Sequence, residues 1–164
     1  ISSTPEFYLD CKDGASKIKI PSTVELIGEK AFYDRSLNSV TIEDGVETIG
    51  NQAFWDSDGI NKLVLPSTLK TIGYEAFTWA YINTLDLPEG LTSIGYGAFR
   101  CCSNLQKVVL PSTLTSIGVD VFASCSKLLY IISHIASPFE ISYSVFNSSS
   151  QAVLYVPSSF KIAS

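Results

Sequence analysis

Four cysteines, one histidine and sixteen acidic residues are the side chains of this 164-residue chain with the most capacity for chemistry. Cys11, Cys101, Cys102 and Cys125 follow no metal-ligand spacing and are too few and too clustered for a disulfide scaffold. No Ser, Cys or carboxylate stands at a spacing that would make His134 a general base. Asp56-Ser57-Asp58-Gly59 opens like a calcium loop, but Ile60, Asn61 and Lys62 follow where more acidic ligands are needed. Glycan hydrolysis by paired carboxylates needs two of them on one face about 5–9.5 Å apart, and here they are scattered through turns. No catalytic residue, cofactor or metal is therefore expected. Asn147-Ser148-Ser149 fits a glycosylation acceptor, which matters only in a eukaryotic source.

Composition narrows the partners. Eleven basic against sixteen acidic residues leave no basic stripe to neutralise phosphates, so nucleic acid is not expected. Split after Ile82, the first half carries 7 Lys/Arg and 12 Asp/Glu and the second 4 and 4, a solubility pattern more than a steering field. The apolar stretch from Leu128 to Ile132 is far short of the roughly 20 residues of a spanning helix, so no transmembrane segment is expected. With no methionine, the chain is expected to be processed or excised from something longer, and upstream sequence is expected.

What must position these residues is a repeat. Ile-Gly recurs at Ile27-Gly28, Ile49-Gly50, Ile72-Gly73, Ile94-Gly95 and Ile117-Gly118, in steps of 22, 23, 22 and 23 residues, and Ala-Phe or Val-Phe follows each. A period of this length marks units that cannot bury their own apolar face and stack into a solenoid. Residues 1–164 are expected to form one such domain of about six units.

Each unit supplies one short strand. Leu37, Val40 and Ile42, then Ile60, Leu63 and Leu65, Ile82, Leu85 and Leu87, and Leu105, Val108 and Leu110 repeat the two-residue alternation of a half-buried strand. Proline ends most of them, because it cannot continue a ladder. These strands are expected to form one long parallel sheet on one face. The return segments, Gly-x-x-Ala-Phe, have room for about one helical turn and are expected to be mostly irregular, with the Gly turning the chain sharply. Phe32, Phe54, Phe77, Phe99, Phe122 and Phe146 should stack as a column in the core. Ser133 and His134 replace the apolar residue and Pro of the penultimate unit, and Ser142 its Gly, so that unit is expected to be distorted. Leu154-Tyr155-Val156-Pro157 reads as the last strand and Tyr8-Leu9-Asp10-Cys11 as the tail of a return segment.

Leu110-Pro111 through Leu114, Ile117-Gly118, Val121-Phe122, Cys125 and Leu128 closely resembles the bacterial surface protein A (BspA-like) leucine-rich repeats, and the resemblance covers about residues 8 to 160. It implies a right-handed leucine-rich-repeat solenoid from a secreted or surface-displayed protein, associated with adhesion, and it carries no catalytic motif. Arg35, Ser57, Ala80 and Ser149 depart from the family at the Cys position. Cys102 and Cys125 share that position in adjacent units, about 5 Å apart and within disulfide reach. The small residues of the row point instead to buried free thiols.

The outward strand positions form two rows: Lys17, Ser39, Lys62, Thr84, Lys107, Tyr130, Val153 and Lys19, Thr41, Val64, Asp86, Val109, Ile132, Tyr155. Both become apolar and aromatic at the end, so Tyr130, Ile132, Val153 and Tyr155 are the candidate binding residues. The expected function is a secreted or cell-surface module that binds a protein or glycan partner, and the alternative is a passive spacer. Tyr33, Trp55, Tyr74, Trp79, Tyr81 and Tyr96 form a second aromatic group in the return segments, readable as outer packing or as a ligand site.

Overall fold

A computed structural model describes residues 17–136, 141–149 and 151–155. The strands run β1 (Lys17–Ile20), β2 (Leu26–Ile27), β3 (Ser39–Ile42), β4 (Thr48–Ile49), β5 (Lys62–Val64) and β6 (Thr71–Ile72). They continue as β7 (Thr84–Asp86), β8 (Ser93–Ile94), β9 (Lys107–Leu110), β10 (Ser116–Ile117), β11 (Tyr130–Ser133) and β12 (Val153–Tyr155). All pairings are parallel between successive coils, as a solenoid requires. The expected Val156 and Pro157, and Tyr8 to Cys11, lie outside the described residues.

The odd-numbered strands and β12 form the front face, and their register matches the sequence alignment residue for residue. Lys17 pairs with Ser39, Ser39 with Lys62, Thr84 with Lys107, and Tyr130 with both Lys107 and Val153. The expectation of one continuous sheet is corrected. The front divides into β1-β3-β5 and β7-β9-β11-β12, with no ladder between β5 and β7. At this seam Leu63 and Leu65 are only half-buried, whereas their counterparts Val40, Ile42, Leu85 and Leu87 are buried.

The return side is more ordered than expected. Leu-Ile, Thr-Ile and Ser-Ile pairs just before the glycines build a second parallel sheet of two-residue strands, β10-β8-β6-β4-β2. After each glycine, alternate N–H groups point along the coil and across to the next one. Ala53 N donates to Gly50 O, while Gln52 N and Phe54 N donate to Tyr74 O and Ala76 O. That alternation needs left-handed backbone at two places per coil, seen at Gln52 and Asp56 (φ 53° at each). A short helix is confined, among the described residues, to a 3-10 turn over Tyr143–Phe146, in the distorted unit, with Ser142 capping it.

Gly50, Gly73, Gly95 and Gly118 were expected to serve a sharp turn, and that reason is corrected too. None has positive φ. A Cβ on Gly73 would lie 2.8 Å from Asn51 N and Gly50 C, and one on Gly118 2.5 Å from Tyr96 N. Glycine is needed because successive coils press backbone on backbone there. A Cβ on Gly28, in the first described coil, would meet nothing within 4 Å among the described residues.

The core bears out the Phe column. Rings from Phe32 to Phe146 stack in sequence at centroid spacings of 5.0, 5.0, 5.3, 5.7 and 5.6 Å with nearly parallel planes. The strand aliphatics flank it, and every buried side-chain N or O among the described residues has a partner. The turns after the front strands add a second order. Pro-Ser-Thr turns at 66–68 and 111–113 alternate with acidic-Gly turns at 43–45 and 88–90. Asp44 accepts from Ser67 N and Oγ at 2.7 and 2.9 Å, and Glu89 accepts from Ser112 Oγ at 2.8 Å. Thr68 Oγ1 accepts from Gly45 N and donates to Val46 O, and Thr113 repeats this with Gly90 and Leu91.

Candidate functional site

The front ladder brings the four candidate residues together. Tyr130 is paired with Val153 and Ile132 with Tyr155 across β11 and β12. Parallel strands put side chains of one parity on one side of the sheet, so the quartet faces outward as a unit. Tyr130, Val153 and Tyr155 are 47%, 51% and 52% exposed, and Ile132 is half-buried beneath them. The two tyrosine rings sit 6.3 Å apart, tilted by 37°. Leu154 was expected to face the core but is exposed, so the described end of the sheet is apolar on both sides.

Toward the N-terminal end the same rows become charged and internally paired. Lys19 bonds Glu43 at 2.6 Å and Lys107 lies 3.9 Å from Asp86. The Lys19 ammonium, helped by the Ser22 N–H, holds the Glu43 carboxyl below its ordinary range despite some desolvation. A shallow depression of about 490 Å³ is lined by Ser22, Thr41, Glu43, Asp44, Val64 and Pro66, among others. Its carboxylates are already engaged with Lys19 and Ser67, so it offers no free charge for chemistry.

The remaining chemistry-bearing residues are structural. His134 replaces the turn Pro and, unlike proline, donates its backbone N–H to Leu110 O at 2.9 Å. The Ser57 hydroxyl of the calcium-like stretch is buried and donates to Phe32 O, so it faces the core. Among the described residues no three His, Cys, Asp or Glu side chains cluster as a metal site.

Cys101, Cys102 and Cys125 are free thiols, while Cys11 lies outside the described residues. The Cys row has a role that small size alone did not reveal. Cys102 and Cys125 donate to Phe77 O and Phe99 O at 3.3 Å, as Ser57 and Ser149 donate to Phe32 O and Phe122 O at 3.0 Å. The readable signal was that Ser and Cys are both small donors. Burial pushes the Cys125 thiol up to about 12 and that of Cys102 well above its ordinary value.

The second aromatic group divides. Tyr33 stacks on Trp55 at 4.7 Å and Tyr74 on Tyr96 at 5.4 Å, as outer packing would have them, but Trp79 and Tyr81 stay half exposed.

A stack of coils, each giving one strand to an open front face, around an aliphatic and Phe interior defines a leucine-rich-repeat solenoid. A profile of the BspA type leucine rich repeat region matches six copies, over residues 4–129 and 54–163. The chain belongs to that family. The fold is similar to a leucine-rich repeat protein of T. pallidum (TM-score 0.81, 26% identity, covering 87% of this chain and 69% of that one). It is also similar to one from Bacteroides ovatus (0.69, 31%, 86% and 37%) and to a leucine rich cell surface protein of Faecalibacterium prausnitzii (0.51, 28%, 74% and 39%). The chain thus spans about two thirds of the first protein and little more than a third of the other two. No curated protein sequence matches it. No helix among the described residues is long and apolar enough to cross a membrane.

Proposed function

We propose that this chain is a non-enzymatic interaction module of a secreted or cell-surface protein, contacting a protein or glycan partner through the C-terminal part of its front face. The observation that carries the reading is the quartet of exposed Tyr130, Val153 and Tyr155 with half-buried Ile132, held in register by β11 and β12. Side chains fixed by adjacent strands lose little freedom on binding, and covering them releases water from apolar surface. Family membership and the cell-surface neighbour support an external location. The ion pairs elsewhere in the rows, one of them on Lys107 next to Tyr130, suit a solvated surface, so shape should outweigh charge in recognition.

The test is to change Tyr130 and Tyr155 together to Ser, confirm an unchanged melting temperature, and measure attachment to host-cell and extracellular-matrix preparations. Attachment should be lost. Attachment that survives removes this face as the site. An unaltered chain that never attaches favours a passive spacer, which would also tolerate deletion of whole coils.

A further inference from the structure

The position two residues after each Phe has left-handed backbone in every coil: Asp34, Asp56, Trp79, Cys101, Ser124 and Ser148, at φ 54°, 53°, 70°, 59°, 61° and 61°. Short polar side chains tolerate that region, whereas a bulky residue there is strained. Trp79 is the exception, and burial does not offset its strain, because it is 50% exposed. The fold requires the left-handed backbone here but not a bulky side chain on it, and an exposed Trp at such a position points to a use for the side chain.

From Trp79 to Asn83 the chain alternates: Trp79, Tyr81 and Asn83 are exposed, Ala80 and Ile82 buried. The two aromatic side chains are therefore both open to solvent, two residues apart. This stretch leads straight into the seam of the front face. Asn61 N donates to Asn38 O and Gln106 N to Asn83 O, but no equivalent bond joins Asn83 to Asn61. The rings thus lie beside a break in the backbone ladder that is flanked by the exposed amides Asn61 and Asn83, with half-buried Asp56 preceding Trp79 in the column. No exposed large aliphatic lies in residues 56–61, 79–83 or 101–106.

We propose that Trp79 and Tyr81, with Asp56, Asn61 and Asn83, form a binding site for a neutral saccharide, separate from the front-face quartet and independent of it. A sugar ring presents a C–H face that packs on an aromatic ring, and hydroxyls that donate to carboxylate and amide oxygens. A protein partner would call for aliphatic anchors beside the aromatic ones, as the C-terminal quartet has and this site lacks. Asp56 and Asp58 are balanced by Lys62 after Asn61 and by Arg100, which follows Trp79 in the stack, so the surroundings carry no net charge and suit a neutral ligand.

The chain has two tryptophans, so Trp55→Phe leaves Trp79 as the only emitter. That variant is titrated with cellopentaose, chitopentaose, mannopentaose and a β-1,3-linked glucose pentamer at millimolar concentration, following emission and acrylamide quenching. At least one sugar should shift Trp79 emission to the blue and shield it from quencher. By calorimetry on the otherwise unaltered chain, Trp79→Ser and Tyr81→Ala should each weaken that sugar by about tenfold or more. Ser already occupies the column at Ser124 and Ser148, so Trp79→Ser should melt at the same or a higher temperature. The proposal is overturned if none of the four sugars changes the emission, or if both variants bind as before. A response only to a Lys/Arg-rich peptide also overturns it and assigns the site to a basic segment.

Discussion

The Ser57 hydroxyl reaches back one coil and donates to the carbonyl of Phe32 over 3.0 Å, in a site closed to solvent. The bond ties the turn at the end of one coil to the aromatic column of the coil before it. Ser57→Ala leaves that buried carbonyl without its side-chain donor and should cost about 1–3 kcal/mol in denaturant unfolding. Ser57→Cys should cost less than about 1 kcal/mol, because a thiol makes the same bond at Cys102 and Cys125.

Phe77 sits mid-column, fully buried, with Phe54 and Phe99 stacked on either side at 5.0 and 5.3 Å. Phe77→Ala opens a cavity between stacked coils and should destabilise by about 3–5 kcal/mol. Exposed Lys70→Ala serves as the control, with an expected change within about 0.5 kcal/mol. A loss below about 1 kcal/mol for Phe77→Ala would mean that the column is not the main support of the core.

The glycines give a paired test of close approach. Gly73→Ala places a methyl 2.7–2.8 Å from Asn51 and Gly50 atoms and should cost about 1–3 kcal/mol as the coils are forced apart. Gly28→Ala meets nothing within 4 Å among the described residues and should be neutral or stabilising by up to about 1 kcal/mol, through a less flexible unfolded chain. Equal costs at the two sites would restore the turn explanation for these glycines.

Cys102 and Cys125 should resist alkylation in the folded protein, because burial keeps their thiols protonated. Unfolding without reductant should then expose four free thiols, and a count of two would reveal a disulfide. The folded-state values are raised, so the associated stability is complete below the ordinary thiol range. It declines as pH climbs from there through about 12, since only the unfolded chain ionises readily. Melting temperatures of Cys125→Ser measured from neutral to alkaline pH should show a shallower decline than those of the unaltered chain.

Register was the most legible part of the structure. In a repeat, aligning Tyr130 under Lys107 in sequence places them side by side in space, so the pairings of Tyr130 with Val153 and Ile132 with Tyr155 followed from counting. The placement of the candidate quartet side by side was legible for the same reason, whereas the exposure of neighbouring Leu154 was not, because an inward position is buried only if something packs on that side. Features that depend on the distance between coils were not legible. Composition alone cannot separate a glycine needed for torsion from one needed for close approach, and Gly73 belongs to the second kind. Nor does spacing reveal a seam, because β5 and β7 carry the same alternation as strands that pair. Trp79 was visible as an aromatic residue, but its strained backbone appeared only once the column of positive φ was seen.

The alternating turns have a consequence for growth and loss of the solenoid. The bonds from Asp44 to Ser67 and from Glu89 to Ser112 require an acidic-Gly coil to be followed by a Pro-Ser-Thr coil. Ile-Gly steps of 22 and 23 residues alternate in the same rhythm, so the unit that can be copied without mismatch is a 45-residue doublet (22 + 23). Excising one doublet rejoins compatible neighbours. Excising a single coil sets two turns of the same kind against each other, either carboxylate facing carboxylate or hydroxyls without their acceptor. Recombination within such a gene would therefore be filtered by parity, and viable length variants should differ by even numbers of coils.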